Sequence, residues 1–274
     1  MPELPEVETI RRGLEQKVRG EKIKRVIIRN ERSVKTPPSS EFVQKIQGKV
    51  LCQIHRRGKY LILGLDSGES LVLHLGMTGR LIYSKTGEEI GYSRVVFLLE
   101  NNAQLSFTDV RGFGGLWFVP DEKFEEAVPA LANMGPEPLG RSFTLEKFKQ
   151  LLKGKKGKIK SLLMDQTFIA GIGNIYAQEA LFLSGIHPTR SPSLLLDQEI
   201  ERLYHNLLNV LKEAVSYRGS SVNTYVDLDG IEGNYEPRLR VYRRAGSNCL
   251  RCRQVIERME VGGRGTYFCP RCQK

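Results

Sequence analysis

The chain has 274 residues, 40% of them hydrophobic and 27% charged, with a formal net charge of +11 and a sequence pI near 9.5. Such a chain can bury a sizeable core and has room for more than one domain. It contains no apolar run of about 18 residues and opens on an acidic, helix-like stretch unlike a secretory leader, so a cytoplasmic protein with a polyanionic partner is expected.

The first segment reads Met1-Pro2-Glu3-Leu4-Pro5-Glu6. Proline after the initiator methionine is a substrate context for methionine removal, which would leave Pro2 with a free secondary amine. An N-terminal amine ionises near ~8, far below a lysine, so part of it is neutral at physiological pH. Neutral amines attack electrophilic carbon and give Schiff bases. Val7, Ile10, Leu14 and Val18 then repeat at helical spacing, with Pro5 suited to the first turn. Pro2 therefore precedes a helix start, where the dipole disfavours a protonated amine. Glu3 and Glu6 at that position also suit ordinary dipole complementation.

Strand-like segments follow at Ile23 to Arg29, Lys49 to Ile54, Lys59 to Leu65, Ser70 to Leu75, Arg94 to Leu99, Gln104 to Val110 and Leu116 to Val119. Short strands at regular spacing with glycine-rich turns predict a β-sandwich or barrel. Cys52 stands alone in an apolar stretch and reads as packing. Pro129, Gly135-Pro136 and Pro138 punctuate a linker, beyond which the pattern turns helical. One apolar stripe is Leu145, Phe148 and Leu152; another is Ile200, Leu203, Leu207, Val210 and Ala214.

Between the stripes, Gly171-Ile172-Gly173-Asn174 leads into an apolar helix. Amides of such a turn can bind phosphate, although a glycine turn with an asparagine cap is also common helix punctuation. The basic run Lys153, Lys155, Lys156, Lys158 and Lys160 lies just upstream and favours the anion reading.

The tail from Glu236 to Lys274 holds 10 basic and 3 acidic residues, a net +7 of the total +11. It also carries Cys249-x2-Cys252, then after sixteen residues Cys269-x2-Cys272. Paired knuckles at this spacing predict one structural zinc ion rather than disulfides. Val255-Ile256 and Thr266-Tyr267-Phe268 are strand formers, and Gly262-Gly263 supplies a hairpin turn between them.

Met-Pro-Glu-Leu-Pro-Glu-Val-Glu, Arg56-Arg57-Gly58-Lys59, Gly171-Ile172-Gly173-Asn174-Ile175-Tyr176, and Gly263-Arg264-Gly265-Thr266 leading into Cys269-Pro270-Arg271-Cys272 together resemble bacterial formamidopyrimidine-DNA glycosylase, from end to end and in order. The resemblance implies an α+β fold with three parts. These are a helix-led β-sandwich over 1–134, a helix-two-turn-helix domain over 135–235 and a zinc finger over 236–274. It implies a monomeric enzyme of base excision repair that removes oxidised purines from duplex DNA and then cuts the strand by β,δ-elimination. It needs no cofactor beyond the zinc.

By the same resemblance Pro2 is the nucleophile, Glu3 the acid/base group, Glu6 a second carboxylate near the amine, and Lys59 a contact to lesion or phosphate. Asn174 and Arg264 pinch backbone phosphates. Met77, Arg111 and Phe113 fill the vacated stack, and His74, Lys160 and Tyr242 complete the DNA-contact set. Ser220, Ser221, Thr224 and Tyr225 lie in the segment that closes over the flipped base. Four positions depart from the family's common pattern and bear on lesion preference and affinity. Gly76 and Gly112 stand where a basic residue is frequent, Gln178 where an acid is, and Asn223 where arginine is.

Two rival readings explain part of the chain. An endonuclease VIII-like enzyme for oxidised pyrimidines shares the catalytic start, but Leu4 and the Met77, Arg111 and Phe113 set favour the purine branch. A noncatalytic zinc-ribbon nucleic-acid-binding protein accounts for the basic tail and leaves Pro2, Glu3 and Lys59 without a purpose.

Overall fold

A computed structural model of the chain describes residues 1–85, 90–222 and 224–274, apart from the side chain of Glu125; Asn223 falls outside the described residues. The chain divides into two compact units, Met1–Asn133 with Tyr217–Glu236, and Met134–Ser216 with Pro237–Lys274. Residues 217–235, expected from sequence to belong with the second domain, pack with the first. Tyr225 and Leu228 enter the first unit's core, and the Tyr83 N–H donates to the Leu228 carbonyl at 2.8 Å.

The first unit opens with helix α1 (Leu4–Lys17), whose Val7, Ile10 and Leu14 are buried on the face that the sequence periodicity predicts. There follow β1 (Ile23–Ile28), β2 (Val34–Thr36), α2 (Ser39–Ile46), β3 (Leu51–Arg57), β4 (Tyr60–Leu65), β5 (Glu69–His74), β6 (Arg80–Ser84), β7 (Ser93–Leu99), β8 (Gln104–Thr108) and β9 (Gly115–Pro120), then two short helices, α3 (Phe124–Ala127) and α4 (Pro129–Ala132). One sheet has the order β1-β7-β8-β6 and the other β2-β9-β5-β4-β3. Their inner faces meet in one core that includes Leu61, Leu63, Leu71 and Leu73 from one sheet, Val95, Phe97, Leu105 and Phe107 from the other, and the apolar stripe of α1. This is the expected sandwich. The sequence reading passed over β2, β6 and α2, because strands of three to five residues are too short to show a period and α2 begins directly after Pro37-Pro38.

The second unit contains α5 (Leu145–Leu152), α6 (Ile159–Leu163), α7 (Asn174–Ser184) and α8 (Asp197–Ser216), followed by a hairpin of β10 (Glu257–Val261) and β11 (Arg264–Phe268). Both predicted stripes are helices, α5 and α8. Helix α7 is apolar nearly all round and buried from Ile175 to Phe182, which marks it as the unit's central helix. The hairpin turns on Gly262 and Gly263, with φ of 60° and 69°. Two successive left-handed residues are what a two-residue type I′ turn demands, and glycine adopts them without a Cβ penalty. The strands lie slightly later in the chain than the Val255-Ile256 formers suggest; Val255 makes only an isolated bridge to Asn248. Among the described residues no helix is long and apolar enough to cross a membrane.

Candidate active site and nucleic-acid interface

In the first unit the two glutamates that follow Pro2 interlock at the head of α1. The backbone N–H of Glu3 donates to Oε2 of Glu6 at 2.7 Å, one half of a capping box whose other half is the Glu3 carboxylate on the backbone of Glu6. Neither carboxylate is a solvated surface charge: Glu3 is 3% exposed, Glu6 1%. Pro2 is buried beside them. Dipole complementation on an exposed helix end would not require that burial.

Glu6 has a second task. Its Oε1 accepts the backbone N–H of Ser220 at 2.8 Å, and Tyr225 donates its hydroxyl to the Glu6 carbonyl at 3.4 Å. Burial, and then the nearby Glu6 carboxylate, push the Tyr225 phenol up from its ordinary value. Ser221 donates to the Tyr225 carbonyl at 2.8 Å. Thr224 is exposed. The neighbouring Gly219 adopts φ +79°, and a Cβ there would stand 2.7 Å from Glu6 Oε1. The backbone at Gly219 and Ser220 is thus anchored on Glu6, in the first turn of α1.

Lys59 occupies the tip of the β3–β4 hairpin, where Arg57 pairs with Tyr60 and only Gly58 of the two turn residues has positive φ, 55°. A lysine at a hairpin tip is usually solvated, yet Lys59 is 5% exposed. The hairpin is tied to α1 through Glu8, which the sequence reading missed. Its carboxylate takes Arg56 Nε at 3.2 Å and also accepts from Arg11 and Arg12. Burial works against ionisation there, but the Arg11, Arg12 and Arg56 guanidiniums hold the Glu8 carboxyl below its ordinary range. Next to this hairpin, His74 stacks on Tyr60 with ring centroids 4.6 Å apart and accepts the Gly76 N–H on Nδ1 at 3.2 Å. Burial, and then the Lys59 ammonium, lower its pKa to about 4, so the imidazole is neutral and carries its proton on Nε2.

Met77, Arg111 and Phe113 stand out from the surface of the same unit. Phe113 is 58% exposed, and Met77 and Arg111 are exposed as well. The Arg111 guanidinium lies 4.9 Å from the centroid of the Phe113 ring. Buried Asp109, unremarked in the sequence, organises the two turns that bear them. It accepts from Thr78 Oγ1 at 2.6 Å, from the Arg111 N–H at 3.2 Å and from the Gly114 N–H at 2.7 Å. The departure at Gly76 has a steric basis: φ is +62° and a Cβ would lie 2.5 Å from the Gly114 nitrogen. At Gly112 the space is open, but φ is +72°.

In the second unit Gly173 caps α7 and Asn174 is its first residue, so Asn174 is not the helix cap. Its Nδ2 donates to the Gly265 carbonyl at 3.1 Å, next to exposed Arg264. Lys153, Lys155, Lys156 and Lys158 are solvent-exposed, whereas Lys160 is wholly buried. Tyr242 packs edge-on against Tyr267, 5.6 Å between centroids. The segment before it is clamped by Glu179, a buried carboxylate also missed in the sequence. It accepts the backbone N–H groups of Arg240, Val241 and Tyr242 at 2.8, 3.0 and 3.0 Å. Burial pushes this carboxyl up against the pull of those donors and of the Arg240 guanidinium.

The thiols of Cys249, Cys252, Cys269 and Cys272 all lie within 4.8 Å of one another. Cys249 Sγ is 3.9 Å from Cys272 Sγ, and Cys252 Sγ is 3.5 Å from Cys269 Sγ. Four sulfurs at about 2.3 Å from a tetrahedral zinc would be separated by roughly 3.8 Å, so the spacing fits. The cluster is a single structural zinc site. With four protein ligands it leaves no position for a reactive water.

A helix-led β-sandwich and a helical unit ending in a four-cysteine hairpin define a class of zinc-finger proteins of mixed α+β fold. Family models match almost the whole chain: formamidopyrimidine-DNA glycosylase N-terminal domain over residues 1–116, formamidopyrimidine-DNA glycosylase H2TH domain over 134–226, and the zinc finger found in FPG and IleRS over 246–274. The chain belongs to the formamidopyrimidine-DNA glycosylase family. The enzyme of that name from Pelotomaculum thermopropionicum is 44% identical, with 100% of this chain and 99% of the relative covered. The Lactococcus lactis FPG in complex with DNA containing FAPY-dG is similar with a TM-score of 0.91 at 34% identity, covering 99% of this chain and 100% of that one. The Lactococcus lactis Fpg bound to DNA with an abasic site gives a TM-score of 0.92 at 35% identity, covering 99% of each chain.

Proposed function

We propose that this protein excises oxidised purines, 8-oxoguanine and formamidopyrimidines, from duplex DNA and then cleaves the strand at the resulting site. It acts as a monomer in the bacterial cytoplasm, on nucleoid DNA. Once Met1 is removed, the lone pair of Pro2 forms a bond to C1′ of the damaged nucleotide. Glu3 protonates the ring oxygen O4′ as the sugar opens, and the base leaves with the electrons of its glycosidic bond and the proton that the attacking amine gives up. The product is an iminium between Pro2 and C1′. That electron sink acidifies the C2′ hydrogen, and its loss expels the 3′ phosphate; a second elimination expels the 5′ phosphate, and water releases the amine.

Lys59 supplies positive charge beside these steps, which disfavours protonation of the amine and suits a phosphate or lesion oxygen. Met77, Arg111 and Phe113 fill the stack left by the everted base. Asn174 and Arg264, with His74 and Tyr242, hold the distorted backbone by its phosphates, whereas Lys160 is wholly buried and is left out of that set. Ser220, Ser221, Thr224 and Tyr225 cover the everted base.

The observation that carries this reading is the interlocked, buried Glu3–Glu6 pair directly after Pro2, with Glu6 also holding Ser220. Borohydride reduction of processed protein mixed with 8-oxoguanine duplex tests it. A covalent adduct mapping to Pro2 and lost in Pro2→Gly is expected. An adduct on Lys59, or trapping undiminished in Pro2→Gly, would refute the nucleophile, and a preference for oxidised pyrimidines would move the protein to the endonuclease VIII-like branch.

A further inference from the structure

Gln178 is fully buried one turn into α7 and bonds to two different elements at once. Its Nε2 donates to the Asn174 carbonyl at 2.7 Å, to Asn174 Oδ1 at 3.0 Å and to the Gly265 carbonyl at 3.2 Å. Its Oε1 accepts the backbone N–H of Tyr267 at 2.6 Å. The orientation of the amide follows from its surroundings, three acceptors on one side and an N–H donor on the other. Asn174 adds its own bond to the same Gly265 carbonyl.

We propose that Gln178 is a positioning residue that locks the head of α7 to strand β11 and thereby sets the spacing and orientation of Asn174 and Arg264 for a pair of backbone phosphates. The inference rests on the phosphate-binding reading of those two residues. Asn174 Oδ1 is fixed by Gln178 and one Nδ2 hydrogen by Gly265, which directs the second hydrogen of that amide outward. Arg264 precedes Gly265 in the chain, so the carbonyl that both amides grip also fixes the root of the arginine. A carboxylate at position 178 accepts but does not donate. Facing the two carbonyls and Asn174 Oδ1 it would be repelled at three points while keeping only the Tyr267 bond. In this chain the amide therefore makes one rigid platform of two elements that an acid would join more loosely.

Gln178→Met, of similar length and without donors, is the decisive variant because it adds no buried charge; Gln178→Glu is the second. With zinc content confirmed, Gln178→Met should weaken binding to duplex with a tetrahydrofuran abasic analogue about tenfold and reduce the salt slope by about one, as expected when one phosphate is no longer engaged. Single-turnover excision at saturating protein should stay within about twofold, since the reacting groups lie elsewhere. In a background with both Asn174→Ala and Arg264→Ala, Gln178→Met should add little, because the residue acts through those two. Affinity and slope unchanged in Gln178→Met, or fully additive losses in the triple variant, overturn the positioning role. Should Asn174→Ala and Arg264→Ala themselves leave affinity unchanged, the phosphate reading falls and takes this inference with it.

Discussion

Thr78 donates its hydroxyl to Oδ1 of Asp109 at 2.6 Å, and the backbone N–H of Arg111 donates back to that same threonine oxygen at 3.1 Å. The turn bearing Met77 and the turn bearing Arg111 and Phe113 are therefore one preformed body. Thr78→Val keeps the shape and deletes both bonds, at a cost of about 1–3 kcal/mol in stability. Removal of 8-oxoguanine from a fully paired duplex should fall, while cleavage of an already abasic strand stays near wild type. Thr78→Ser should restore excision; equal losses on both substrates would show that the bond only stabilises the fold.

Gly219→Ala sets a methyl 2.7 Å from Glu6 Oε1 at φ +79°. The left-handed conformation alone costs a side chain about 1–2 kcal/mol, and the clash adds to it. Single-turnover excision should drop sharply, with affinity for abasic-site duplex retained within a fewfold. Unaltered excision would mean that the Glu6–Ser220 bond has no part in closing over the base.

From its proposed place in the vacated stack, Arg111 would meet the partner base. The Phe113 ring lies against the guanidinium and restrains it despite the neighbouring Gly112. Cytosine presents acceptors to such a fork, while adenine presents a donor on the same edge. Excision opposite cytosine should be favoured by about 1–3 kcal/mol, roughly 5- to 150-fold. Single-turnover rates on the two duplexes should converge in Arg111→Ala; a preserved preference would assign the readout to another residue.

Stability should depend on pH through His74. Its folded pKa of about 4 lies below the ordinary 6.5, so below pH 6.5 the unfolded chain takes up a proton that the folded one refuses. The stabilisation is complete above pH 6.5 and is lost as pH falls toward 4. His74→Asn should flatten the fall in melting temperature across that window, and an unchanged profile would place the acid sensitivity in other groups.

Zinc removal should unfold the finger without reaching the chemistry. A structural zinc contributes about 10–16 kcal/mol to a small finger, more than its few buried residues supply. Cys249→Ser or a strong chelator should abolish DNA binding while leaving the first unit folded by circular dichroism, with one zinc per native chain. Full DNA affinity in a metal-free preparation would contradict this.

Much of the fold is legible in the sequence alone. Val7, Ile10 and Leu14 declare α1, the two glycines declare the zinc hairpin, and four cysteines in two knuckles declare the metal, because each signal lies within a few residues of chain. The sequence does not show that Glu6 reaches Ser220 or that Asp109 reaches Thr78, since those bonds span long stretches of chain and depend on how the sandwich closes. Gln178 is visible there only as an oddity. Its four partners come from the start of its own helix and from a strand some ninety residues onward.

The return of residues 217–236 to the first unit has a consequence for biosynthesis. A ribosome will have delivered both sheets of the sandwich long before Leu228, which completes the edge at Tyr83, or Ser220, which engages Glu6. Domains fold as units while they emerge, but this one waits for the helical half to be translated before its last core positions are filled. A chain interrupted after residue 133 would carry Pro2, Glu3 and Lys59 without residues 217–236 of their own unit, and without the proposed phosphate contacts Asn174 and Arg264. The proposed site is therefore completed only late in synthesis, by chain order alone.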